Sequence, residues 1–159
     1  IGIGDATGDG EAHEAMRLSG PGWRLTTRTV NPLRARWALR VRDELALVDG
    51  DVTQASPVSW VIDVDGVDVT VHLHLGHPDV ARVSALLVDD VDECLDLLRE
   101  LGALNAASCG VRYWWEDGAV YAAADVRCTA LDTLHDAVRD VADSAEQYAP
   151  MLAALGAQP

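Results

Sequence analysis

The sequence predicts an α+β fold in the order α-β-β-β-α-β-β-α, about half strand and half helix. Three observations carry that expectation. In three separate stretches apolar residues recur at gaps of three and four, the repeat of one helix face. Between them the repeat drops to two, as in a strand with one face buried. Twice an Asp-Gly pair separates alternating runs, at Asp65-Gly66 and Asp117-Gly118. A type I′ hairpin turn needs positive φ at both central residues and favours that pair.

Taken in order, residues 1–22 read as a flexible leader and 23–159 as one domain. Ile1–Gly10 holds four glycines and no basic stretch of the kind that opens a secretory signal. A short helix over Glu11–Leu18 and an extended segment over Trp23–Val30 (WRLTTRTV) are expected next. Pro32 then opens a helix whose apolar face is Leu33, Trp37, Val41, Leu45 and Val48, with Arg34, Arg36, Arg40 and Arg42 largely off it. Gly50 suits its stop. Trp37, Leu39 and Val41 also alternate as in a strand, so that reading stays open.

From Ser59 the period is two. Trp60, Ile62 and Val64 precede Asp65-Gly66, and Val67, Val69, Val71, Leu73 and Leu75 follow it. Pairing across the turn sets Ile62 opposite Val69 and Trp60 opposite Val71, with acids and histidines on the other face. Ala81–Val88 (ARVSALLV) reads as a third strand. Asp90 with Glu93 forms a capping-box pattern ahead of a helical stripe of Val91, Leu95, Leu98 and Leu101, which Gly102 would close. A second hairpin follows, VRYWW and AVYAAADV around Asp117-Gly118. Thr129 would cap the last helix, with the stripe Leu131, Leu134, Val138, Val141, Ala145, Tyr148, Leu152 and Leu155. Pro150 should kink or end it.

Composition narrows the function classes. At 159 residues, 49% hydrophobic and 24% charged, the chain is long enough to bury a core without staples. Its net charge is −14, and all 12 basic residues are arginine. Such a charge repels phosphate backbones and anionic lipid, so neither nucleic acid nor membrane is an expected partner. It would draw in a basic protein or peptide, or simply keep the domain soluble; both readings are open. Cys94, Cys109 and Cys128 lack C-x-x-C spacing, which argues against a disulfide scaffold or zinc ribbon and for a reducing, cytoplasmic setting. No phosphate loop is present, and no base is placed by sequence to activate Cys109, so the expectation is a non-enzymatic protein.

The Leu104-Asn105 helix ending, the Asp117-Gly118 hairpin and the closing VADSAEQYAPML (Val141–Leu152) come in an order and spacing that carry a family resemblance. Over Trp60–Leu155 the chain resembles the small peptide-binding chaperones that include CesT-like type III secretion chaperones and YbjN-like proteins. That resemblance implies a twisted antiparallel sheet with helices packed on one face. It also implies no cofactor, and the task of holding an unfolded or extended polypeptide. A protein or peptide client, and a second copy of the chain, are the partners to expect.

Two groups of side chains invite a chemical reading. His72, His74 and His77 supply three imidazoles, enough for zinc or copper, so a metal-binding protein or metal-dependent enzyme is the alternative function. The bland reading is that they decorate a polar hairpin face. Asp63, Asp65 and Asp68 crowd the first turn without the spacing of a calcium loop and read as solvated acids. The second group is Arg112, Trp114 and Tyr121. Counting back from Asp117-Gly118 pairs Trp115 with Val120, Trp114 with Tyr121 and Tyr113 with Ala122. That puts Val111, Tyr113 and Trp115 on the core face and Arg112, Trp114 and Tyr121 on the other. These three are the candidate partner-binding residues, because protein-binding hot spots are rich in exposed aromatics and arginine. The Trp–Tyr pair could equally stabilise the sheet or lie under the first helix.

Overall fold

Two Asp-Gly turns set the framework. In the computed structural model, which describes residues 32–74, 76, 77 and 79–156, Asp65 and Gly66 have φ of 53° and 88°, and Asp117 and Gly118 have 51° and 84°. Both pairs therefore occupy the turn expected of them. The leader, the Glu11–Leu18 helix, the Trp23–Val30 segment and Leu75 lie outside the described residues.

The elements are α1 (Pro32–Leu45), β1 (Asp51–Ser56), β2 (Ser59–Val64), β3 (Val67–Leu73), β4 (Val80–Val88), α2 (Leu95–Ala107), β5 (Arg112–Glu116), β6 (Ala119–Arg127), a 3-10 turn (Leu131–Thr133) and α3 (Leu134–Gly156). The strands form one six-stranded antiparallel sheet in the order β1-β2-β3-β4-β6-β5. This is the predicted α+β order with one strand added. That strand, β1, has hardly any buried surface. A strand with no buried face produces no alternation, so DVTQAS carries no signal; pairing with β2 alone recruits it.

All three helices pack on one face. Trp60, Ile62, Val69, Val71, Val83, Val120 and Ala122 line the sheet side of the core. Against them α3 lays Leu134, Val138, Val141, Ala145 and Leu152, and α1 adds Ala38, Val41 and Leu45. The twelve of these side chains larger than alanine, at roughly 1.5–3 kcal/mol each, supply the driving force. α3 crosses β3, β4 and β6, while α2 covers β5.

Several expected boundaries move, each for a local reason. α1 ends at Leu45, short of Gly50, and Leu33 is 43% exposed, so the buried face turns toward Ala38. Arg34 is not off the face: its Nη2 donates to the Leu73 carbonyl at 2.8 Å. Asp90 does not cap α2. It sits at φ 57°, and the chain runs on to Cys94, whose sulfur accepts from Leu97 N. The later start turns Leu97, Leu101 and Leu104 inward and leaves Leu95 and Leu98 exposed, while Gly102 falls inside the helix. At the last helix Thr129 is no cap either, since the 3-10 turn starts after Ala130. α3 continues through Pro150 to Gly156. The segment beyond the proline is held by fully buried Leu152 and by Cys94 Sγ, which donates to Leu155 O.

Candidate functional site

The face of the sheet turned away from the three helices is not covered by any described element, and its side chains can be read row by row. The middle row starts at Arg112 on β5. It then runs through Ala123, Ser84, Thr70 and Val61 to Thr53 on β1, each opposite the next in register. Beyond Arg112 every member is small or β-branched. On one side stand Trp114, Tyr121 and Leu86, again opposite one another. On the other stand Asp125, Arg82, His72 and Ser59. From β5 to β3 these low side chains lie beside taller ones, which makes a trough across four strands. At about 4.8 Å between strands its length is about 14 Å, the span of roughly four extended residues.

The trough opens into a hollow of about 370 Å³ near β5, lined by Arg82, Gly110, Arg112, Trp114, Ala123 and Asp125. Ala123 and Gly110 leave it open, because neither has a side chain long enough to fill it. Trp114 and Tyr121 form its apolar wall. Their rings stack at 5.4 Å between centroids and 23° between planes, and both are half-buried. Such a pair stabilises the sheet by about 0.5–1.5 kcal/mol and still presents ring surface. Leu86 extends that wall with 49% of its surface exposed. Strand alternation after inward Ala85 directs it outward and Leu87 inward, and the register shifts only beyond it, between Leu86 and Val88.

The opposite wall is ionic. Arg82 donates Nε and Nη2 to the two carboxylate oxygens of Asp125 at 2.7 and 2.8 Å. This fork raises the guanidinium pKa and holds the Asp125 carboxyl below the usual carboxylate range. His72, opposite Arg82, is held below its ordinary 6.5 by burial first and then by the Arg82 charge.

Arg112, Trp114 and Tyr121 thus lie together on the uncovered face, in the predicted pairing; α1 does not cover them. Of the residues assigned to the core, Val111 and Tyr113 are buried, whereas Trp115 is half-buried and donates its indole N–H to Val91 O at 3.0 Å. Only two of the histidines come together. His77 lies against His74 with ring centroids 5.4 Å apart and planes tilted by 38°, His74 Nδ1 accepts from Gly76 N, and His72 lies opposite Arg82. Among the described residues no group of three or more His, Cys, Asp or Glu could hold a metal ion. Sequence reasoning missed Leu86, the Arg82–Asp125 fork and the row of small side chains. Their parity was available in ARVSALLV, but aligning β4 with β6 needs a non-local register that no turn fixes.

Two other hollows flank the fold. One of about 280 Å³ lies between α1 and the β1–β2 hairpin, lined mainly by Ala38, Leu39, Val58 and Trp60. Trp60 is 2% exposed, and its indole N–H has no partner among the described residues. The other, about 340 Å³, lies between the end of α2 and α3 and is polar. There Tyr113 Oη donates to Ser144 Oγ at 2.9 Å and Ser144 Oγ to Asp140 O at 2.7 Å, so the buried hydroxyls are satisfied.

Comparison with known proteins bears on the same residues. Residues 40–156 match the family model TY-Chap1, described as T3SS (YopN, CesT) and YbjN peptide-binding chaperone 1. Among solved structures, a chain in the crystal structure of the ExsC–ExsE complex matches with a TM-score of 0.50 and 19% identity, over 80% of this chain and 96% of that one. That likeness speaks for the fold. No curated protein matches the sequence. Among the described residues no helix is long and apolar enough to cross a membrane.

Proposed function

Since the chain belongs to the TY-Chap1 family of peptide-binding chaperones, whose task is not enzymatic, we propose that it holds its client as an extended segment in the trough on the uncovered sheet face. The observation that carries this reading is the exposed apolar wall of Trp114, Tyr121 and Leu86 beside a row of side chains too small to fill the space. Rigid aromatic surface gives contact area at low entropic cost, and hot spots concentrate on Trp, Tyr and Arg. A structurally similar chain was crystallised in the ExsC–ExsE complex, which agrees with a protein client. Three unpaired cysteines support a reducing, cytoplasmic setting. Exposed Leu95 and Leu98 on α2 support pairing of two copies, which sedimentation would detect.

The test is selection of a random twelve-residue display library on the immobilised protein and on its Trp114→Ala variant. Peptides enriched on the wild type should be lost from the variant. Retention of the same peptides would place the client elsewhere.

A second reading is favoured by one observation, the apolar hollow under α1 beside Trp60, whose buried indole N–H has no partner among the described residues. An apolar client side chain would fill that hollow. Leu39 is 54% exposed at the rim, so Leu39→Asp should abolish binding if that hollow is the site and leave it intact if the trough is.

A further inference from the structure

The end of the trough near β5 has a chemistry that the net charge of the chain conceals. Its hollow is lined by two arginines and one aspartate. Asp125 is already committed, since both of its oxygens are taken by Arg82. Arg112 is not. Its Nη1 donates to the Asn105 carbonyl at 3.2 Å, while Nε and Nη2 meet no acceptor among the described residues. It stands at the rim, exposed, with Trp114 two residues along the same face and Ala123 directly across. The site therefore offers one uncompensated guanidinium, an apolar ring wall and a floor without side-chain bulk.

On the reading that the client lies in this trough, we infer that the client residue seated in this hollow carries a carboxylate. A short apolar stem runs along Trp114 and Ala123, and the carboxylate meets the free donors of Arg112. A guanidinium fork matches the planar carboxylate in geometry as well as in charge. A lysine or arginine of the client would instead face Arg112, with Asp125 already paired to Arg82 and Glu116 held two residues beyond Trp114, whose indole N–H donates to it at 3.1 Å. The chain as a whole, at −14, repels acidic ligands at a distance. That repulsion is screened over a Debye length of about 8 Å at physiological salt. Contact with Arg112 is made well inside that length, so the local cation sets the preference at this position. The carboxylate can come from an Asp or Glu side chain or from the client's own C-terminus.

Four twelve-residue peptide pools separate these cases. Three have amidated C-termini, no other charged residue, and Glu, Gln or Lys fixed at the centre. The fourth has Gln at the centre and a free C-terminal carboxylate. Retention is measured on immobilised wild-type protein and on Arg112→Gln, Arg112→Glu and Trp114→Ala, each first shown to melt as the wild type does. On the wild type the Glu pool should be retained about tenfold more than the Gln pool, the gain expected of one charge-assisted pair. A gain confined to the fourth pool would assign the hollow to a chain terminus, with the same carboxylate chemistry. Arg112→Gln should erase the preference, Arg112→Glu should turn it toward Lys, and Trp114→Ala should lower every pool. Equal retention of the Glu, Gln and free-terminus pools, or a lead for Lys, overturns the inference. If Trp114→Ala still lowers all pools in that case, the trough reading stands without it. If Trp114→Ala lowers none, or the wild type retains none, the trough reading fails and takes the inference with it.

Discussion

At the residue scale, the Asn105 amide at the end of α2 holds the outer edge of β5. Its Oδ1 accepts from Tyr113 N at 2.9 Å and its Nδ2 donates to Tyr113 O at 2.7 Å. One amide thus pairs the outer edge of β5 as a strand would, and closes part of an edge that could recruit other chains. Asn105→Leu should leave both Tyr113 backbone groups unpaired and lower unfolding free energy by about 1–3 kcal/mol in urea titration; an unchanged midpoint would show that water replaces the amide at no cost. His72 makes a pH prediction. Burial and Arg82 hold its pKa below 6.5 in the native state. As pH drops through that value the unfolded chain takes up a proton that the native chain resists, so the unfolded state binds more protons and stability is lost as pH falls. The depressed Asp125 titrates in a lower window, its contribution being lost only as pH falls below the ordinary 3.8. Denaturant midpoints at about pH 7.5 and about pH 5.5 should therefore converge in His72→Gln, with Asp125 ionised at both. A slope identical to the wild type would remove His72 as its source.

At the scale of elements, hairpins were legible and helix ends were not. Turn chemistry is local: Gly66 must hold φ 88° whatever surrounds it. A Cβ there would meet nothing within 4 Å, so Gly66→Val tests the backbone alone. It should cost about 1 kcal/mol or more in chemical denaturation, because a β-branched residue resists positive φ. A neutral result would mean that the turn relaxes without loss. Helix ends depend instead on what the chain meets next. Asp90 and Glu93 have the spacing of a capping box, yet Val91 N donates to Gly118 O at 2.8 Å. That bond ties the segment to the second hairpin and delays α2 until Cys94. The exposed strand β1 lacked any pattern for a related reason, as it has no core face to declare. Pro150 was weighed by its local cost alone, while buried side chains on both sides of it keep the helix intact.

For the whole molecule, charge and family point in different directions until the faces are separated. A chain at −14 suggests a basic client, and at a distance that field acts as expected. The trough, however, ends on an arginine with no acidic partner among the described residues, and the carboxylate we infer for the client there runs against the net charge. Helices occupy one face of the sheet, as the family resemblance implied, and no described element covers the other. What no sequence pattern exposed was the row from Arg112 to Thr53, which exists only once six strands are in register. The central claim is that Trp114 belongs to a binding face and Trp115 to the fold. It is tested most directly by measuring, for Trp114→Ala and Trp115→Ala side by side, the dissociation constant of a peptide selected on the wild type and the urea midpoint of the free protein. The account predicts that Trp114→Ala weakens binding by about 2 kcal/mol or more, roughly thirtyfold, with a midpoint close to the wild type. Trp115→Ala should cost the fold about 3 kcal/mol. A Trp114→Ala protein that keeps its affinity, or that unfolds as readily as Trp115→Ala, would contradict it.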